Sequence, residues 1–418
     1  MVHTIYPLPH HHGRSFQLGI ATLAEQIIIA VACLAGGDGL SLVLDPAIIT
    51  ELSGVCSSTT TLQMRVTSII TSIATSSAAA MQAVVAAGAL TPLFDVIKSD
   101  DVLLKLTAME QVGTIATLIG GFRALVDADV VLTLASFLQP DESDPFAAML
   151  LPGVLEFFGR LGATPGFDYA VLDCKPQLVA AIGQALRSGD PTLQAAAASA
   201  TTALAQSGTG IPLLLTPDAT SEGRSVMHLL GAAALSSGAG GQVKGAALDA
   251  LASCFSRPRG SRNGSSGAAA AAAAAASEGE GEFSAERLPM YAAVTEVVAG
   301  GAGGTVPVVL MGCADQPFDD VKQPAFRVLQ GVATHAWGCT SLLKTPAFLE
   351  WMLDRGSGNA DAKFTLAENV AFCIRDEGTP ELVAASSAAK PTLLSFLGEG
   401  RYFKERQEPE VMIEDNVA

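Results

Sequence analysis

Six histidines could in principle ligate a metal or move a proton: His3, His10, His11, His12, His228 and His335. A zinc site needs four ligands at short, fixed spacings and neighbours that orient them. His10 to His12 are contiguous in a terminus rich in Pro and predicted to be disordered, so no metal site is expected there. His335 stands two residues before Trp337 at a helix end, where capping or packing accounts for it. The seven cysteines, Cys33, Cys56, Cys174, Cys254, Cys313, Cys339 and Cys373, are odd in number and widely spread. None forms a CxxC, which excludes the common zinc and redox spacings and points to buried, unbridged thiols in a reducing compartment. Acidic pairs such as Asp100-Asp101 and Asp319-Asp320 stand at predicted helix starts, where the helix dipole favours negative charge without any acid–base role. The glycine clusters Gly238 to Gly241 and Gly300 to Gly304 follow no strand and lack a GK[ST] ending, so they read as interhelical turns. No GxSxG, HExxH, EF-hand or P-loop motif occurs. The expectation is a protein without catalytic residues, cofactor or metal.

The elements that must carry any function are helices. Half of the 418 residues (49%) are hydrophobic but only 6% are aromatic, so the core is built from Ala, Leu, Val and Ile. No stretch alternates with period two between hairpin turns, which leaves an all-α chain. Val308 to Met311 could pass for a strand, but Pro307 suits a helix start better. The clearest unit runs from Ser76 to Ile119. A short helix ends at Gly88, a second covers Leu90 to Ile97, and a turn at Ser99-Asp100-Asp101 opens a longer helix through Ile119. Ser99 is its predicted N-cap, and Val102, Leu106, Met109 and Val112 form its apolar stripe. Related units begin near Gly121, Gly208 and Gly338. Their spacing fits two and three periods of about 43 residues, the period of HEAT and armadillo arrays. One such unit cannot bury its apolar face, whereas stacked neighbours can.

The predicted organisation is a disordered N-terminus (1–16), helical repeats (17–256), a low-complexity insertion (257–284), further repeats (285–403) and an acidic tail (404–418). The insertion holds nine consecutive Ala, from Ala268 to Ala276, beside Gly/Ser linker chemistry. There are 41 Asp and Glu against 24 Lys and Arg, a net charge of −17. That balance disfavours nucleic acid and anionic membranes and suits a partner with a basic face. The apolar run Ile27 to Ala35 is too short to span a bilayer, and no secretory leader is evident. The expectation is a soluble, intracellular chain, monomeric on its own.

Several blocks resemble a known family. Ser143-Asp144-Pro145-Phe146, Leu151-Pro152-Gly153 and Phe157-Phe158-Gly159 with Leu161 resemble a segment of the proteasome non-ATPase regulatory subunit 5 family. So do Ala336-Trp337-Gly338, Thr345-Pro346-Ala347-Phe348-Leu349-Glu350, Asp361-Ala362-Lys363-Phe364 and Leu397-Gly398-Glu399-Gly400-Arg401-Tyr402-Phe403. Shorter matches include Asp190-Pro191-Thr192 and Leu248-Asp249-Ala250. The matches run in order from about residue 76 to 403; the Ala-rich insertion is foreign to the pattern and the N-terminal region matches poorly. The resemblance implies a HEAT/armadillo-type solenoid that acts as an assembly chaperone for the base of the proteasome regulatory particle. It would bind one ATPase subunit at its C-terminal domain, hydrolyse nothing, leave before the particle is complete, and work in the cytoplasm with the nucleus as a second compartment. The other reading is a general armadillo-type adaptor unrelated to the proteasome, and a more remote one is an enzyme on a helical-repeat scaffold. Two Trp, Trp337 and Trp351, cannot form the Trp/Asn ladder of nuclear-import receptors. Phe146, Phe157, Phe158, Trp337 and Phe348 are expected in the core, and Pro145, Pro152 and Gly153 in turns. Partner contacts are expected from polar residues of the long helices: Lys105, Glu110, Gln194, Lys322 and Arg327.

Overall fold

The computed structural model describes residues 13–34, 38–56, 59–139, 147–164, 167–217, 223–235, 240–256, 269–301, 304–356, 359–376, 378–401 and 403. The chain divides into two units, Met1–Leu229 and Leu230–Ala418. Among the described residues all regular structure is helical. Unit 1 holds α1 (Gly13–Ala32), α2 (Asp38–Val43), α3 (Pro46–Cys56), α4 (Thr60–Ser76), α5 (Ala78–Ala86), α6 (Thr91–Lys98) and α7 (Val102–Ala116). It continues with α8 (Gly121–Asp127), α9 (Val130–Ser136), α10 (Ala147–Arg160), α11 (Lys175–Arg187), α12 (Pro191–Gln206) and α13 (Ile211–Leu215). Helix α14 (Val226–Leu235) carries the chain from one unit to the next. Unit 2 holds α15 (Gly241–Phe255), α16 (Ala269–Gly301), α17 (Val306–Ala314), α18 (Asp319–Val332) and α19 (Ala336–Lys344). Its last helices are α20 (Phe348–Leu353), α21 (Ala360–Asp376), α22 (Pro380–Ser386) and α23 (Lys390–Glu399).

Helix starts follow from local chemistry. The hydroxyls of Thr59, Ser77 and Thr379 accept from the backbone N–H of Leu62, Ala80 and Leu382, and Asp190 accepts from Thr192 N. Pro occupies the first turn of α6, α11, α12, α13, α17, α22 and α23, where its missing N–H costs nothing. Helix α17 contains the segment Val308 to Met311, as its Pro307 predicted. The cap of α7 is Asp101 rather than Ser99. Its carboxylate accepts from Leu103 N at 3.0 Å and Leu104 N at 3.1 Å, while the Ser99 hydroxyl donates back to Val96 O at 2.8 Å and accepts from Asp101 N at 3.4 Å, reaching no N–H of α7. The helix ends at Ala116, short of Ile119. Pro152 and Gly153 lie inside α10, not in a turn; the apolar face of that helix continues through Leu150, Leu151, Val154 and Leu155, all buried, and packing overrides one lost backbone bond.

In each unit the long helices stack side by side while shorter ones cover their backs. In unit 1, α4, α7, α10 and α12 form the row; in unit 2, α15, α18 and α21 do. Phe157, Phe158 and Phe348 are buried as expected, Trp337 is half-buried, and Phe146 lies outside the described residues. This is the HEAT/armadillo type of all-α repeat, in which each unit hides its apolar side against the next.

The turns out of α7, α12 and α18 are tight. An added Cβ on Gly121 would stand 1.9 Å from Ile115 O, on Gly210 2.4 Å from Leu204 O, and on Gly338 2.0 Å from Val332 O. In each case the carbonyl belongs to the residue six positions earlier. The repeat start therefore lies at Gly210, not Gly208, whose Cβ would meet nothing within 4 Å. Only glycine permits this approach.

The segment predicted as an insertion divides. Residues 257–268 lie outside the described ones, as do residues 1–12 of the stretch 1–16 predicted to be disordered and the tail 404–418; Gly13 to Phe16 of that stretch open α1, and from Ala269 the backbone is helical and continues through Gly301. The far part of α16 is held by His335. Its Nε2 donates to Phe255 O at 2.9 Å, its Nδ1 accepts from the Ser284 hydroxyl at 3.2 Å, and its ring stacks on Trp337 at 4.8 Å. The Trp337 indole in turn donates to Ser284 O at 3.1 Å, and Tyr291 bonds Ser341 at 3.0 Å. His335 thus packs and bridges, fully buried.

Replacing Gly338 by Ala is expected to lower stability by about 2–3 kcal/mol, because the methyl must displace the Val332 carbonyl. Gly208→Ala should change it by less than about 0.5 kcal/mol. Denaturant midpoints of the two variants check the assignment of the repeat start.

Candidate functional site

The residues expected to touch a partner fall on three helices in two units. Lys105 and Glu110 lie on α7 and Gln194 on α12, in unit 1; Lys322 and Arg327 lie on α18, in unit 2. Each is described within its own unit. Lys105 is half-buried with its ammonium 4.8 Å above the Phe137 ring. Gln194 is turned inward: its amide donates to Ser188 O at 2.6 Å and Leu186 O at 3.3 Å, closing the end of α11. Lys322 pairs with Asp319 one turn earlier at 3.0 Å. Arg327 reaches across to Asp249 of α15 at 2.8 Å. Burial raises the Asp249 carboxyl above its ordinary value, and the Arg327 guanidinium opposes that rise.

Glu110 is exposed and borders a recess of about 380 Å³ between α7 and α10. The floor is Leu106, Met109 and Phe157; Glu156 and Arg160 stand on the opposite wall, paired at 2.6 Å. Gly113 keeps the α7 wall low, since a Cβ there would already touch Arg160 Nη1 at 3.6 Å. Glu156 and Arg160 escaped the sequence reading, which put Pro152 and Gly153 in turns; their i,i+4 spacing is a sign only once this stretch is seen to be the helix α10. In unit 2 the row is tied by side chains that reach neighbouring backbones. Gln330 donates to Ala362 O at 3.0 Å, and Asn369 donates to Gln330 O at 3.1 Å. A second recess of about 470 Å³ lies between α21 and α23, walled by Phe372, Leu393, Leu394 and Leu397 with Lys390 at its rim.

A family profile described as "Proteasome non-ATPase 26S subunit" matches residues 22–263 and 293–418. The chain belongs to this family. Three relatives named 26S proteasome non-ATPase regulatory subunit 5, from Bos taurus, Homo sapiens and Mus musculus, are each 22% identical over 87% of the chain. The match covers 66% of each relative, so the chain spans about two thirds of their length. Among solved structures, the designed armadillo repeat protein YIII(Dq)4CqI is 15% identical, covering 68% of this chain and 98% of its own, with a TM-score of 0.40. An engineered protein is 17% identical over 90% of this chain and 95% of its own, with a TM-score of 0.41. The family match leaves out residues 264–292, the stretch holding the Ala run and the start of α16.

Several of the remaining described chemistry-bearing residues are engaged within this family member. Among the described residues no group of three His, Cys, Asp or Glu could hold a metal ion. His3 and His10 to His12 lie outside the described residues, and His228 Nδ1 bonds the Ser225 hydroxyl at 2.8 Å. Of the two glycine clusters, Gly241 and Gly300 lie in helices, while Gly238 and Gly303 fall outside the described residues. Trp351 donates to Asp315 at 2.8 Å and stacks on Phe326 at 5.7 Å. No single described helix is long and apolar enough to cross a membrane; one bent pair, α5 with α6, is so by length and composition, and both bury apolar side chains in unit 1.

No two cysteines are bridged; Cys56, Cys254, Cys313, Cys339 and Cys373 are buried, Cys174 half-buried and Cys33 exposed. Burial pushes the Cys254 thiol up from 9.0 to about 12, with Arg287 opposing. It is therefore a poor nucleophile. A raised folded value means that the native state holds the proton longer. Its contribution to stability is full below pH 9 and is lost as pH rises toward 12, by up to about 1.4 kcal/mol per pH unit. Cys254→Ala should make alkaline loss of stability in that window shallower, as followed by denaturant unfolding from about pH 8 to 11.

Proposed function

We propose that this chain is a non-enzymatic scaffold that holds one ATPase subunit of the proteasome, at its C-terminal domain, while the base of the regulatory particle is assembled. The observation that carries this reading is the family match over most of the chain, joined to a fold made of stacked helices. Such stacks offer long rows of side chains rather than a closed pocket, and the described histidines His228 and His335 are engaged within the fold. Many modest contacts with polar rims allow both capture and release. The acidic balance of −17 favours a partner surface with basic residues. The work belongs in the cytoplasm and the nucleus, where proteasomes are built.

Glu110, Glu156 and Arg160 around the α7–α10 recess are the contact residues we assign first, and Lys105, whose ammonium lies over Phe137, follows them. Lys322 and Arg327 on α18 are second, because both already hold partners within the chain. Gln194 is withdrawn as a contact, since its amide closes α11.

Purified full-length protein should bind a recombinant proteasome ATPase subunit directly, and affinity capture from cells should recover that subunit without the finished particle. Glu110→Lys should weaken binding about tenfold at low salt, with a smaller effect in high salt. Titration calorimetry at two ionic strengths measures both. Stable recovery of mature proteasomes, or of partners unrelated to them with no binding to any ATPase subunit, would overturn the proposal.

A further inference from the structure

Helices α7 and α10 lie side by side in unit 1 and run in the same direction. A Cβ on Gly153 would meet Met109 Cε at 2.9 Å, and one on Gly113 would meet Arg160 Nη1 at 3.6 Å, so the contacts ascend both helices together. The groove between them carries side chains of two kinds at two levels. At the first level Leu103 and Met149 are 72% and 50% exposed. At the second stand Glu110 and Glu156, with Arg160 paired to Glu156 at 2.6 Å. Leu103 precedes Glu110 by seven residues, and Met149 precedes Glu156 by the same seven. Seven residues are close to two turns, so each helix shows its apolar and its acidic side chain on one face, about 10.5 Å apart along the axis.

Two carboxylates against one guanidinium leave the second level negative, and among the described residues the Glu110 carboxylate has no ion-pair partner. The neighbouring helices of the row differ. In the register fixed by Thr71 against Gln111 and by Gly159 against Ala200, the matching exposed positions are Ser68 on α4 and Ser199 on α12. Charge and apolar surface thus coincide on the α7–α10 pair. A guest that meets both levels must present an apolar and a basic side chain on one face, about 10.5 Å apart. An α-helix does so with residues i and i+7. An extended strand covers the distance in three residues, but its residues i and i+3 point to opposite faces. An anionic membrane surface would meet the same two carboxylates as like charges.

We propose, resting on the reading that this chain holds another protein, that the groove between α7 and α10 seats an amphipathic helix of that partner. A large apolar side chain of the helix lies between Leu103 and Met149. An Arg or Lys seven residues along lies between Glu110 and Glu156, its stem over Met109 and Phe157. Arg suits the place better, because its planar fork can engage both carboxylates. This is helix-in-groove recognition, with the spacing of one apolar and one basic residue as the selecting feature.

Fluorescence anisotropy with the full-length chain and lactam-stapled helical peptides tests the pairing. Two peptides in an Ala/Gln host carry Leu and Arg seven residues apart, one in each order along the chain. Their controls shift the Arg by two residues, to the far side of the helix. At least one spaced peptide should bind, with its control about tenfold weaker and the gap narrowing in high salt. Leu103→Glu with Met149→Glu should weaken both that peptide and a recombinant proteasome ATPase subunit about tenfold. The unfolding midpoint should stay unchanged, since both side chains are at least half exposed. A second measurement covers misfolding of that variant. In a Cys33→Ser background, Leu103→Cys should form a disulfide with a peptide carrying Cys in place of its Leu, and none with a peptide carrying Cys in place of its Arg. Spaced peptides that fail to bind up to about 1 mM, or bind no better than their controls, overturn the proposal. So does undiminished capture of the ATPase subunit by the folded double variant, a result that leaves the proteasome reading standing. Spaced-peptide binding that depends on Leu103 and Met149, in a chain with no affinity for any ATPase subunit, supports the groove and removes the proteasome reading.

Discussion

Everything in this fold depends on how closely one helix can turn back against the helix before it. At Gly121, Gly210 and Gly338 the backbone passes within van der Waals reach of a carbonyl six residues earlier. That distance sets the angle at which each repeat leaves its predecessor, and so decides whether the following long helix lands beside the previous one. Similar closeness recurs within the rows: a Cβ on Gly159 would stand 2.9 Å from Ala200 Cα, and one on Gly245 2.4 Å from Asp320 O. Small residues let the backbones meet, and the branched and aromatic side chains fill what is left. A chain with few aromatics can therefore bury a large core, because the helices themselves approach closely.

Much of this was legible in the sequence. The alternation of short and long apolar segments, the Pro residues in first turns and the glycines near each repeat start all have local causes, and the helices formed where those causes placed them. The errors were also local. Ser99 and Asp101 are both good caps, and only the path of the chain decided for Asp101. Gly208 and Gly210 stand two apart, and only the approach to Leu204 O separates them. Pro152 looked like a turn because the sequence does not show how much packing surrounds it; α10 keeps its helix on the strength of the buried residues at either side.

Contact residues were far less legible. Lys105, Glu110, Gln194, Lys322 and Arg327 were chosen as polar positions on long helices, but polarity does not distinguish a side chain facing a guest from one tying two helices together. Gln194 ties the end of α11 with its amide, and Arg327 reaches Asp249 of α15 while keeping much of its side chain exposed. Glu110 kept its exposure, and its neighbours across the recess come from a helix about 45 residues away in sequence, at the repeat spacing. Such juxtapositions depend on register between repeats, which no local pattern encodes.

His335 holds Phe255 with one ring nitrogen and Ser284 with the other. The two ends of the intervening 28 residues are thereby fixed by a single imidazole, irrespective of what lies between them. Lengthening a segment whose ends are already clamped raises its closure entropy only logarithmically, by roughly 0.6 kcal/mol for each doubling. The stretch between these anchors is thus a place where the gene can gain or lose codons at little cost to folding. An alanine-rich expansion could accumulate there without disturbing either neighbour, and a fluorescent reporter spliced into it would meet the same tolerance.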